Sequence, residues 1–146
     1  MPKKSVTSSN KSKQKVGKKS TTATNNSNNN KPTTFTSDDL VSQGNIALSS
    51  MQFELAVKFF KRALQMTPTD TSIMDSLAEV QMQLGETYEA EQLFKQSISL
   101  EPTRNPYKWC YLAQLQSGKE ALNSYMKAAE IMTTHITTLG NDDEVK

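Results

Sequence analysis

Side chains able to do covalent or acid–base chemistry are scarce in this sequence. Cys110 is the single cysteine and His135 the single histidine. One thiol allows no intramolecular disulfide and no cysteine metal site, and it fits a reducing intracellular compartment. One imidazole leaves few routes to proton transfer and none to a histidine-rich metal centre. There is no glycine-rich phosphate loop, no nucleophile–base pair and no metal-ligand spacing. The sequence therefore reads as a non-enzyme without cofactor or metal.

What remains is charge. Asp75 and Glu79 are four residues apart, which on a helix puts both carboxylates on one face, one turn apart, without a basic residue at the next such step. Such a pair suits a basic or extended polar ligand; the alternative is an ordinary solvated acidic face. A second set is cationic. Lys3, Lys4, Lys11, Lys13, Lys15, Lys18, Lys19 and Lys31 fall within the first 37 residues, which contain no acid. The net charge of +2 thus combines +8 at the N-terminal end with −6 in the remainder. The first seven of these lysines are nuclear-import candidates; weak, salt-sensitive nucleic-acid contact and simple solubilisation are the competing readings. No aromatic residue is interleaved with them for base stacking.

Residues 1–36 are mostly Lys, Ser, Thr and Asn, too polar to offset the entropy of ordering, and are expected to be a disordered tail. The N-terminal basic residues are not followed by the apolar segment of a secretory signal. No apolar run approaches the ~20 residues that span a bilayer. From Leu40 onward apolar residues recur at steps of three and four, as one buried helix face requires, and no strand alternation appears. Ser37 followed by Asp38 and Asp39 predicts a helix start with a hydroxyl cap. Pro68, Gly85, Pro102, Asn105–Pro106 and Ser117–Gly118 mark the boundaries between later helices.

The helices repeat. Gly44, Ala56, Phe60, Ala63 and Pro68 recur 34 residues later as Ala78, Ala90, Phe94, Ser97 and Pro102. Small residues let helix axes approach, and the aromatics fill the space beside the next unit. This helix–turn–helix of 34 residues resembles the tetratricopeptide repeat. The units are residues 37–70, 71–104 and a shortened repeat-like unit at 105–135, followed by a polar end at 136–146. In the third unit Trp109, Leu112 and Ala113 take the first-helix positions, and Ala121, Tyr125 and Ala128 those of the second. Ala113 and Ala121 are eight residues apart where Gly44 and Ala56 are twelve, a deficit of about one helical turn. The expected fold is an all-α helical-hairpin solenoid of about three repeats.

The resemblance implies that the first helix of each pair lines a groove. Asp38, Val41 and Asn45 would face it from the first pair, Asp75, Glu79 and Met82 from the second, and Gln114, with Cys110, Tyr107 and Tyr111, from the third. Some members of the family clamp a C-terminal carboxylate with Lys and Asn. Asn45 matches one such position, but Val41, Ser76, Tyr107 and Tyr111 stand where Lys, Asn, Lys and Arg are needed, so a carboxylate clamp is not expected. Trp109 and the methionines read as packing residues, and Cys110 as a small buried side chain rather than a reactive thiol.

The run Tyr107–Tyr125, YKWCYLAQLQSGKEALNSY, resembles the matching segment of the dedicated assembly chaperones of large-subunit ribosomal protein four, in which a helix carrying Y-L-x-Q-L (here Tyr111 to Leu115) leads straight into G-x-E-A-L-x-x-Y. The resemblance covers residues 37 to 135. It implies a non-enzymatic chaperone that sequesters a newly made large-subunit ribosomal protein and escorts it toward nuclear ribosome assembly; the acidic groove read above from Asp75 and Glu79 would neutralise a basic segment of that protein. The alternatives are a general scaffold for another protein, or an RNA-associated factor acting through its basic tail. No small-molecule substrate and no membrane partner is expected. Ile131, Ile136 and Leu139 end the pattern without a polar capping helix, which predicts either a longer array or a partner over the open end.

Overall fold

The computed structural model describes residues 34–141, so the lysine candidates Lys3 to Lys19 lie outside the described residues. Among the described residues there are six helices and no strand: α1 (Ser37–Ser49), α2 (Phe53–Met66), α3 (Thr71–Gln83), α4 (Thr87–Leu100), α5 (Tyr107–Leu115) and α6 (Gly118–Asn141). Each helix packs on the next in chain order, giving the pairs α1–α2, α3–α4 and α5–α6. The expected helical hairpins are present.

Local chemistry sets the starts of the first helices. The cap of α1 is Thr36, not Ser37: the Thr36 hydroxyl accepts from the Asp39 amide while the Asp39 carboxylate accepts from the Thr36 amide. This reciprocal capping box satisfies two orphan donors, which a cap at Ser37 would leave open. Asp70 caps α3 through the amides of Ser72 and Ile73. Asn105 Oδ1 accepts from the Tyr107 amide, and Pro106, with φ −63° and ψ −23°, already has helical geometry. Thr36, Asp70 and Asn105 thus hold equivalent places. Ser37, released from capping, contacts the Thr67 hydroxyl beyond the end of α2, and Thr71 contacts the Glu101 carboxylate in the same way beyond α4.

The turns inside the pairs also correspond. Each has a residue in the left-handed region within it or at the start of the next helix: Met51 at φ 56°, Gly85 at 78° and Gly118, the first residue of α6, at 59°. Glycine adopts this conformation freely, whereas methionine does so at a cost of about 1 kcal/mol or more. In the third pair the missing turn is lost from the first helix: α1 and α3 have 13 residues each and α5 has 9. At the other end α6 runs for 24 residues, unbroken at 135–136. Its inner side buries Ser124, Ala128 and Ile131, whereas Ile136 and Leu139 are exposed.

The repeat positions form the core. Ala56, Phe60, Ala63, Ala78, Ala90, Phe94 and Ser97 are all fully buried. Gly44 shows why that position must be small: a Cβ there would lie 2.7 Å from the Phe60 ring. One apolar cluster joins α1, α2 and α3 around Leu40, Phe60 and Leu77, and a second joins α3, α4 and α5 around Ala78, Phe94 and Leu112. Trp109 packs against the second cluster, and its indole donates to the Pro102 carbonyl at 2.8 Å.

Candidate functional site

The first helices of the pairs carry an unequal set of charges. Asp38 and Asp39 lie on α1, Asp75 and Glu79 on α3, and Lys108 alone on α5. These five have different fates. Asp39 is consumed by the capping box, and its hydrogen bonds from Thr36 hold its carboxyl below the usual range. Asp38 is exposed.

Asp75 does not face an open groove, contrary to the sequence expectation. It is 5% exposed and sits inside a polar network. Its Oδ1 accepts from the Ser97 hydroxyl at 2.6 Å and its Oδ2 from Asn105 Nδ2 at 2.9 Å. Lys108, fully buried, donates its ammonium to the Ser97 carbonyl and hydroxyl at 3.3 and 3.2 Å. Burial pushes the Lys108 amine below its ordinary value, while the Asp75 and Glu101 carboxylates work in the opposite direction. A carboxylate and an ammonium taken out of water are tolerable because each has partners. The network ties α3, α4 and the start of α5 together, a registry role that spacing along one helix could not reveal. A signal was present, however: 34 residues before Asp75 stands Val41, and Cys110 holds the same place in the third repeat, both half-buried.

Glu79 differs. It lies half-buried at the wall of a cleft of about 290 Å³. The apolar walls are Leu48, Phe53, Val80 and Met82; the polar ones are Glu79, Gln83, Tyr111 and Gln114. The cleft thus unites three of the expected groove residues, Glu79, Met82 and Gln114, with the expected Tyr111. Asp38, Val41 and Asn45 do not line it, and neither do Cys110 or Tyr107. Leu48, Phe53, Val80 and Gln83 were missed, although Leu48 precedes Met82 by one repeat of 34 residues. Tyr111 is held by stacking on the buried Phe94 ring, with centroids 5.5 Å apart and planes at 17°.

The electrostatics of the cleft are one-sided. Burial first, and the Asp75 charge second, hold the Glu79 carboxyl above the usual range. Burial and the Glu79 charge likewise push the Tyr111 phenol up. An acid whose folded pKa is raised costs stability when ionised. The cost is present above that pKa and disappears as pH falls through it. A bound cation would remove it at neutral pH instead. Glu79 has neither an ion-pair nor a hydrogen-bond partner among the described residues. No group of three or more His, Cys, Asp or Glu able to hold a metal occurs among the described residues. No helix there is long and apolar enough to cross a membrane.

Comparison with known proteins agrees with this architecture. Residues 72–104, which span α3 from its second residue and all of α4, match the family model for the tetratricopeptide repeat. The chain is 29% identical over 102 residues to small glutamine-rich tetratricopeptide repeat-containing protein 2 of Saccharomyces cerevisiae, an alignment covering 68% of this chain. It spans only 30% of the length of that relative. The tetratricopeptide-repeat domain of Sgt2 from Aspergillus fumigatus superposes with a TM-score of 0.62 at 22% identity, over 66% of each chain. The assembly chaperone of RpL4 (Acl4, residues 1–338) superposes with a TM-score of 0.68 at 17% identity, over 75% of this chain and 44% of that one. Residues 72–104 are therefore a tetratricopeptide repeat, and the chain that contains them has the tetratricopeptide-repeat fold.

Proposed function

We propose that this protein is a non-enzymatic chaperone whose first-helix surface receives a basic segment of a newly made large-subunit ribosomal protein and shields it until assembly. The observation that carries this reading is the unpaired, half-buried Glu79 carboxylate in a cleft without any cation. The single basic residue of α1, α3 and α5, Lys108, is buried against Ser97 with the Asp75 carboxylate nearby, so these helices present no free ammonium at the surface. Cationic ribosomal extensions bind RNA nonspecifically when free, and an acidic surface neutralises them until RNA competes. The fold similarity to a chaperone named for RpL4 supports the same client class. In this reading the lysines Lys3 to Lys19 serve nuclear import, and the protein works in both cytoplasm and nucleus.

The test reverses charge where the structure leaves it free. In the full chain, Asp38→Lys with Glu79→Lys should weaken binding of a Lys/Arg-rich ribosomal-protein segment about tenfold at moderate salt, roughly 1.4 kcal/mol. Deleting residues 1–31 should change localisation and spare that binding. An unchanged affinity in the double variant would remove the acidic-surface account. Loss of all binding on tail deletion would favour a tail-driven RNA-associated factor. A second reading, a general adaptor for another protein, is favoured by the sequence similarity to small glutamine-rich tetratricopeptide repeat-containing protein 2. It predicts indifference to the client's charge.

A further inference from the structure

We propose that the cleft beside Glu79 is a pocket for one arginine side chain of the bound segment, an assignment that rests on the basic-client reading and sharpens it. Size limits the occupant. At about 290 Å³ the cleft is at the lower bound of the ~300–1,000 Å³ typical of sites for whole small molecules, and it suits a single long side chain. Its composition then selects which one. Leu48, Phe53 and Met82 offer apolar surface along which an aliphatic stem can lie, with Met82 able to adjust its shape.

The polar side is rich in acceptors without internal partners. Glu79, Gln83, Tyr111 and Gln114 all line the cleft, and none of their side chains has a hydrogen-bond or ion-pair partner among the described residues. Glu79 supplies two carboxylate oxygens, the glutamines an amide oxygen each and Tyr111 a phenolic oxygen. A guanidinium presents five N–H donors in a planar fork and is weakly hydrated, so it can enter a half-apolar cleft and use several acceptors together. An ammonium has three donors and a stronger hold on its water. An apolar side chain would leave Glu79 desolvated and unpaired. A carboxylate would face Glu79 with no cation in the lining.

The probes are N-acetyl-arginine methylamide and its neutral isostere N-acetyl-citrulline methylamide, titrated into the full chain carrying methyl-labelled methionine. The arginine probe should shift the Met82 methyl resonance saturably. The citrulline probe should bind at least tenfold more weakly, and Glu79→Gln should lower arginine affinity to the citrulline level. Equal binding of the two probes, or arginine binding unaffected by Glu79→Gln, overturns the pocket. The two claims fail separately. If a basic ribosomal segment binds and responds to charge reversal while the probes do not discriminate, the client reading stands and the pocket falls. If the pocket selects arginine but no basic segment binds, the pocket stands and the client reading falls.

Discussion

Asp75→Val should destabilise the protein by about 3–5 kcal/mol, the cost of leaving a buried charge uncompensated. The variant removes the acceptor of Ser97 and Asn105 and strips the nearby carboxylate from the buried Lys108. Valine is not foreign to the position, since Val41 occupies it one repeat earlier. The damage therefore comes from the orphaned partners rather than from shape. Making the buried rest of the network apolar should then undo it. Asp75→Val combined with Ser97→Ala and Lys108→Ile leaves only the half-buried Asn105 of the network polar, and it should recover most of the loss because no buried charge then stands uncompensated. Urea denaturation of the single and triple variants measures both effects. A single variant within about 1 kcal/mol of the parent would show that the network carries little stability.

Phe94→Ala should cost a similar amount, about 3–5 kcal/mol, by opening a cavity in a fully buried site. It should also reach the cleft. Phe94 is the ring on which Tyr111 stacks, so truncation frees a wall of the Glu79 site as well as emptying the second apolar cluster. Thermal or urea unfolding reads the first effect, and loss of Tyr111 ring-current shifts in NMR spectra reads the second. Phe94→Leu should retain more of the stability and still lose the stacking. Total stabilities of single domains are about 5–15 kcal/mol, so the alanine variant removes a large share of what is available.

The repeat was legible because its signals are local and periodic. Ala56, Phe60 and Ala63 announce close helix packing by type and spacing, and all three are fully buried. The missing turn of the third unit was equally readable as a count between Ala113 and Ala121, and α5 is short by that amount. Other features were hidden for physical reasons. The i, i+4 rule assigns Asp75 to the face of Glu79 but is blind to partners 22 and 30 residues away, which take its carboxylate inward. Lys108 looks like any helix lysine; only the packing of α5 on α4 shows that its ammonium meets the Ser97 carbonyl. The Thr36 cap was displaced to Ser37 because a hydroxyl followed by two acids fits either register. Only the Asp39 carboxylate reaching back to the Thr36 amide decides it. Of the groove residues, Glu79, Met82 and Gln114 converge, because first-helix positions one repeat apart stack along one surface.

The central claim is that a basic segment docks at the Glu79 cleft, and the seven methionines provide reporters along the chain. Met82 lines the cleft, Met66 is exposed at the end of α2, and Met126 is exposed on α6 beside Leu122 and Tyr125. The most direct measurement is the methyl spectrum of the methionine-labelled full chain during titration with a Lys/Arg-rich ribosomal-protein segment. The predicted result is a saturable shift of Met82, abolished by Glu79→Lys, with Met66 and Met126 unmoved. Shifts at Met126 with Met82 stationary would place the ligand on α6 and contradict the account.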